Sequence, residues 1–289
     1  MPNRSLHFKL FWTALIGAVV VMTLLLGSIA YIAYGSSVRE TAALVDTIVK
    51  ANAKEVEVEL GVGFTVAESL ASAATALQQQ QAERKTADAV TRQLLEANPQ
   101  LLGLGQYWEP NAFDGKDSEF VNQPNHDGTG RFLTYWNRAN GSVKSEVLVG
   151  YAPENADNQY YYQPLHSRQP WASEPYVYST GNGQKVMLVS IMAPLLQGGK
   201  AVGVAGVDIP LESIRQQLAK IDAYKGYGAL ISSNGLYASH PDDKRLSQPA
   251  DDLPAAARDA IKAGQPYSFQ HDGWGYMLQP VHIGKSPNT

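Results

Sequence analysis

The sequence contains no cysteine, which removes disulfides, thiolate nucleophiles and cysteine metal sites together. It has no excess of base either. Lys and Arg number 23 against 27 Asp and Glu, a net charge of -4, so the basic footprint of a nucleic-acid binder is missing and no nucleic-acid partner is expected. With 44% hydrophobic residues and little net charge, the chain also lacks the composition of a disordered protein. No His-Glu-x-x-His, Gly-x-Ser-x-Gly or phosphate-cradling glycine loop occurs, and histidines 126, 166, 240, 271 and 282 show no paired spacing suited to zinc. No catalytic residue, metal or cofactor is therefore expected. Asp114, Asp117 and Asp127 crowd one segment but lack the alternating oxygen ligands of a calcium loop, so they read as turn residues.

What the chain does have is an uneven distribution of charge. From Leu10 to Tyr34, 25 residues pass without Asp, Glu, Lys, Arg or His. About 20 such residues cross a bilayer as a helix. Trp12 at one end and Tyr31 and Tyr34 at the other fall where interfacial aromatics are expected, and Arg4 and Lys9 keep the N-terminus cytoplasmic. Ser28-Ile29-Ala30 resembles a cleavage site, but a signal peptide's apolar region is roughly 7–15 residues, so an uncleaved anchor is the better reading.

A helical stretch follows from about Ser37 to Gln81. Leu44, Ile48, Val56, Leu60, Phe64, Ala67, Leu70, Ala74 and Leu77 advance by threes and fours along one face. The small residues Ala67, Ala71 and Ala74 permit close approach of a second helix, so both a homodimer along this stalk and packing on the chain's own domain are open. Gln78 to Gln81, with Glu83, Arg84 and Lys85, interrupt the pattern. A short helix from Asp88 to Ala97 stops at Asn98-Pro99.

After Pro99 the period falls from near four to two. Leu102–Trp108, Phe132–Trp136, Ser145–Val149, Tyr176–Tyr178, Val186–Ile191 and Ala201–Val207 read as strands, punctuated by Asp114-Gly115, Asp127-Gly128 and Asn140-Gly141. Gln197-Gly-Gly-Lys200 turns between the last two. A helix over Leu211–Ile221 leaves this module. A second, smaller one begins with a hairpin around Ser233-Asn234-Gly235, continues through a helix at Ala255–Ala263 and ends with strands at Tyr267–Phe269 and Tyr276–Leu278.

An N-terminal anchor, a long helix, Tyr107-Trp-Glu-Pro-Asn-Ala-Phe-Asp-Gly-Lys-Asp117, Gly130-Arg-Phe-Leu-Thr-Tyr-Trp136, Glu174-Pro-Tyr-Val-Tyr178, Gly203-Val-Ala-Gly-Val-Asp208 and His240-Pro241 follow one another in order. Together they resemble the extracytoplasmic double-Cache sensor region of bacterial methyl-accepting chemotaxis proteins. The resemblance implies an α+β fold: a long N-terminal helix serving as anchor and stalk, then two PAS-like antiparallel-sheet modules, the second incomplete. The implied boundaries are a cytoplasmic segment 1–9, a transmembrane helix 10–34, a stalk and short second helix 35–98, a membrane-distal ligand-binding module 99–210, a linker helix 211–224 and a membrane-proximal module 225–289. It further implies a receptor in the cell inner membrane with its sensor in the periplasm.

In the amino-acid-sensing branch of that family, an Arg lies two residues before a Trp-Tyr pair, and an Asp closes the Gly-Val-x-Gly-x-Asp strand. The resemblance puts the pair on Tyr160 and Tyr161, the Arg position on Asn158, the Asp on Asp208, and a further tyrosine on Tyr151. An Arg would clamp a ligand carboxylate, aromatics would box a cation, and the Asp would accept hydrogens from a ligand amine. With the Arg lost, an amine or purine-like ligand fits better than a free amino acid. Asp208 also stands where it could cap the helix starting near Leu211. Tyr135 and Trp136 alternate on a strand, so one faces inward, and Met187 and Ser190 are placed on the inner face; with Tyr178 they complete the candidate set.

The same sensor region also fronts histidine kinases and cyclic-dinucleotide enzymes. A membrane-anchored periplasmic enzyme or assembly protein is the rival from another class. The chain ends at Lys285-Ser-Pro-Asn-Thr289 without a strand to close the second module and without a signalling coiled coil, so a fragment or an interrupted gene is expected.

Overall fold

The computed structural model describes residues 6–123, 126–147, 159–179, 183 and 185–283. The chain forms two compact units, 1–48 and 49–289, and helix α1 (Leu6–Gln79) contributes to both. In the first unit the apolar side chains face outward. Leu10, Phe11, Trp12, Val19, Leu24 and Ile29 are all exposed, and α1 holds an 18-residue window of mean hydropathy 2.4 with none of it buried. The hydroxyls of Thr13, Thr23 and Ser28 donate to carbonyls one turn back in the same helix. An apolar surface with its few polar groups satisfied internally is what a lipid surrounding stabilises.

The second unit is built on a seven-stranded antiparallel sheet. Its strands are β1 (Gly103–Trp108), β2 (Leu133–Asn137), β3 (Lys144–Val147), β4 (Trp171–Ala172), β5 (Tyr176–Ser179), β6 (Lys185–Gln197) and β7 (Lys200–Pro210), in the order β3-β2-β1-β7-β6-β4, with β5 also paired to β6. The β6–β7 hairpin turns through Gly198 and Gly199 at φ +57° and +78°, the left-handed pair that glycine adopts without strain. Pro194 cannot donate to the ladder and marks the point where the β6–β7 register shifts.

One face of the sheet is covered by α1 and by α2 (Arg84–Ala97). Val56, Leu60, Phe64, Ala67, Leu70, Ala71 and Ala74 of α1, and Ala87 and Leu95 of α2, close over Leu104, Ile191, Ala193, Ala205, Val207 and Ile209. Each large aliphatic side chain buried in this way contributes about 1.5–3 kcal/mol. Gly63 permits the close approach, since a methyl group there would meet the side chains of Ile191 and Ile209. The small-residue stripe of the stalk therefore serves the chain's own core, and Ala67, Ala71 and Ala74 are not free to receive a second helix.

The polar break between α1 and α2 conceals a buried cation. Arg84, only 4% exposed, donates to Asp114 at 2.7 and 2.9 Å, to Asp117 at 2.7 Å and to the Gly130 carbonyl at 2.7 Å, and lies 4.1 Å from the centre of the Phe120 ring. Asp127 accepts from the Thr129 amide and hydroxyl. These aspartates fold their loop around an arginine and a turn. Burial pushes the Asp114 carboxyl up, but Arg84 and the Lys116 amide together more than offset it and leave the group below the usual carboxylate range.

Beyond β7, helix α4 (Glu212–Leu218) inserts Ile214 and Leu218 into the same core. The smaller module follows: hairpin β8 (Leu230–Ile231) and β9 (Tyr237–Ser239), helix α5 (Ala255–Lys262), and hairpin β10 (Tyr267–His271) and β11 (Trp274–Leu278), around Tyr237, Ala250, Leu253 and Ala257. The result is the expected α+β architecture with a long N-terminal helix. Helix α3 (Gln159–Ser167) has no counterpart in the sequence reading, because Pro164 inside it argues against a helix. Of the strand expected at Ser145–Val149, residues 148 and 149 lie outside the described residues.

Candidate functional site

The sheet's other face carries different chemistry. Strand alternation places Gly103, Gly105 and Tyr107 of β1 beside Asn137, Tyr135 and Leu133 of β2 on one side, and beside Asp208, Gly206 and Val204 of β7 on the other. Ser190 and Met192 of β6 continue the same face opposite Asp208 and Gly206. Asn137, Gly103, Asp208 and Ser190 thus form one row across four strands. Tyr107, Leu133, Tyr135, Met192 and Val204 form a cluster with Tyr161 of α3, and Tyr160, Tyr162 and Trp171 pack against it.

Asp208 is the centre of this face. The Ser190 hydroxyl donates to its Oδ1 at 2.5 Å and the Tyr135 hydroxyl to its Oδ2 at 2.6 Å, while the Tyr176 and Ser190 hydroxyls lie 2.8 Å apart. Among the described residues no basic group pairs with it. Burial raises the Asp208 carboxyl above its ordinary value, and the two hydroxyl donors offset this only in part. The residue still keeps partial contact with solvent.

Five tyrosines surround that carboxylate. Burial, and then the charge of Asp208, push the Tyr107 and Tyr135 hydroxyls well up, raise Tyr176, and bring Tyr160 to about 12. Tyr178 is raised by burial, then by Glu146, then by Asp208. Glu146 is on β3 and Tyr178 on β5, near opposite ends of the strand order, yet each lies within the other's electrostatic reach. The sheet is therefore curled, with Asp208 on its concave face and Tyr178 and Glu146 towards its edges.

Glycine makes the space for the rings. A methyl group on Gly103 would strike the Tyr135 ring, and one on Gly105 would strike the Tyr107 hydroxyl. The guanidinium on this face is committed elsewhere. Arg131, only 9% exposed, donates to the Trp108 carbonyl at 2.8 and 3.1 Å, to Glu109 at 3.2 Å and to the Tyr161 hydroxyl at 2.7 Å. The arrangement offers an anionic group, weakly neutralised and walled by electron-rich rings, to a small cation.

Residues 87–216 match the family model of the methyl-accepting chemotaxis protein-like first PDC sensor domain. Those residues form a PDC, or Cache, sensor domain of the chemoreceptor type. The chain is 33% identical over 230 residues to the methyl-accepting chemotaxis protein TlpQ of Pseudomonas aeruginosa, covering 70% of this chain and 32% of that protein. It is 25% identical over 146 residues to PctB of the same organism, covering 49% of this chain and 22% of that protein. It thus spans about a third or less of the curated chemoreceptors it matches. Among solved structures, the extracellular domain of mmHK1S-Z2, which carries the name of a histidine kinase, aligns with a TM-score of 0.70 at 29% identity, covering 79% of this chain and 86% of that one. A structure of methyl-accepting chemotaxis protein X shares the fold at a TM-score of 0.64 and 24% identity, covering 86% and 95%.

Within the PDC domain, the structure brings together Tyr135, Tyr160, Tyr178, Ser190 and Asp208 from the residues singled out by sequence. It does not bring the others. Trp136 points to the helical face, where its indole donates to Asp88 at 2.8 Å. Met187 stands three residues from Ser190 and so on the opposite face, packed on the helix-side core. Tyr161 is buried in the cluster of Tyr107 and Tyr135, but its hydroxyl is bonded to Glu109 and Arg131 and not to Asp208. Tyr151 and Asn158 lie outside the described residues. Asp208 does not cap α4, whose N-cap residue is Leu211, without a side-chain cap bond. The sequence reading missed Tyr107, Tyr176 and Glu146. Counting by twos from Gly105 and from Tyr178 would have found the first two, while Glu146 needed the curvature of the sheet.

Proposed function

We propose that this chain is the extracytoplasmic sensing portion of a transmembrane chemoreceptor, and that its PDC domain takes up a small amine, or a purine-like ligand presenting a cationic nitrogen, at Asp208. The observation that carries the reading is a largely buried carboxylate that, among the described residues, is held by neutral hydroxyls alone and ringed by tyrosines. An ammonium would supply the missing counter-charge, accept the ring faces as partners and stabilise the ionised form of Asp208 against its burial. With Arg131 engaged by Glu109 and Tyr161, the described face offers no evident clamp for a ligand carboxylate, which weighs against a free α-amino acid. The role is binding and signalling, without catalysis. The apolar part of α1 would anchor the protein in the inner membrane with the sensor in the periplasm. Pairing of two copies along α1 would have to use faces other than the alanine stripe.

The likeness to mmHK1S-Z2 favours a second reading, in which the same sensor serves a histidine kinase. A methyl-accepting coiled coil found joined to this sensor would favour the first reading, and a kinase domain the second. The ligand reading is tested by calorimetric titration of the chain in lipid nanodiscs with alkylamines, purines and α-amino acids. Binding of amines or purines is expected. Tight binding of ordinary α-amino acids alone would overturn it.

A further inference from the structure

Tyr161 is the least exposed of the three consecutive tyrosines, at 1%, and its hydroxyl bonds Glu109 and Arg131 rather than Asp208. Its hydroxyl uses both its capacities. It donates to the Glu109 carboxylate and accepts from Arg131 Nη2 at 2.7 Å. Burial, with Glu109 as hydrogen-bond acceptor, pushes the hydroxyl far up, so it stays protonated and remains a donor. Arg131 is itself pinned to the Trp108 carbonyl through Nε and Nη2. Trp108 ends β1, Glu109 follows it, and Arg131 lies just before β2, with the Trp108 amide donating to the Phe132 carbonyl at 3.0 Å. The post that holds Tyr161 is thus built on the two strands whose concave faces carry Tyr107 and Tyr135.

Tyr160 is the next residue back along α3. Consecutive residues of a helix point about 100° apart, so the two side chains leave α3 in different directions. Tyr160 packs on the Tyr107–Tyr135 cluster and lies within the field of Asp208. Packing alone would be served by phenylalanine at 161. A ring held by two directional bonds to a charged pair cannot slide or roll as a purely apolar one can. We infer that Tyr161, locked by Glu109 and Arg131, is a positioning residue that sets the roll of α3 and thereby delivers Tyr160 to Asp208. The inference rests on the reading of the concave face as the ligand site, but its test needs no ligand.

The experiment is NMR of the full chain in nanodiscs, with tyrosine labelled at the ring carbon bearing the hydroxyl and the Tyr160 signal assigned by Tyr160→Phe. Asp208→Asn is expected to shift the Tyr160 signal in the otherwise native protein. In the Tyr161→Phe background that response should fall to less than half. Glu109→Leu, which removes the acceptor but keeps the ring, should do the same and serves if Tyr161→Phe does not fold. Glu109→Gln retains an acceptor oxygen and should restore the full response. An undiminished Tyr160 response in Tyr161→Phe or in Glu109→Leu overturns the inference. Since no amine is added, failure of the amine reading in calorimetry leaves this outcome legible on its own.

Discussion

The Tyr135 hydroxyl reaches Asp208 across an intervening strand, donating to Oδ2 at 2.6 Å, and the residue it passes over on β1 is Gly103. The bond exists because that position lacks a side chain. Gly103→Ala places a methyl group against the Tyr135 ring and forces it off the carboxylate. Overpacking of this kind costs about 1–3 kcal/mol in urea denaturation. Amine affinity measured by calorimetry should fall about tenfold or more in the same variant.

Asp208 gives the fold a pH dependence of defined sign. Its carboxyl is raised above 3.8 in the folded chain. The protonated form therefore suits the fold, and that contribution is complete below about pH 4 and lost as pH rises through the raised value. Urea denaturation of wild type and Asp208→Asn between pH 4 and 8 should show wild type losing ground to the variant as pH increases. A constant difference would mean that the carboxyl is not destabilised by burial.

Arg84 should be among the costliest positions to change. Arg84→Met removes the partner of Asp117, a side chain only 8% exposed, and of Asp114. Leaving a buried charge without its partner costs about 3–5 kcal/mol. The loss should show in chemical denaturation, and part of it should be recovered by adding Asp117→Asn.

Trp136→Phe separates the two faces of β2. It removes the donor to Asp88 on the helical side, so stability should fall by about 1–3 kcal/mol while amine affinity stays within twofold of wild type. A large loss of affinity would return Trp136 to the ligand site.

The strands were legible because alternation and glycine turns mark them directly, and the β6–β7 hairpin fell where Gln197-Gly-Gly-Lys200 indicated. Membership of the site depended on parity, which a spacing of three or one inverts. Ser190 and Met187 therefore part company, as do Tyr135 and Trp136. Tyr160 and Tyr161 were harder still, because Pro164 disguises the helix that carries them. Arg84 reads in the sequence only as part of a polar interruption of the helical pattern. Its burial follows from a loop thirty residues downstream, which no local pattern reveals.

The central claim, that Asp208 receives a ligand's ammonium, is tested most directly by the pH dependence of affinity for a simple alkylamine whose own charge is constant over the range. Calorimetry on the chain in nanodiscs between pH 4 and 8 should show affinity rising as Asp208 ionises, and Asp208→Asn should abolish both the binding and its pH dependence. Amine binding that survives Asp208→Asn, or that does not change as the pH is lowered, would contradict the account.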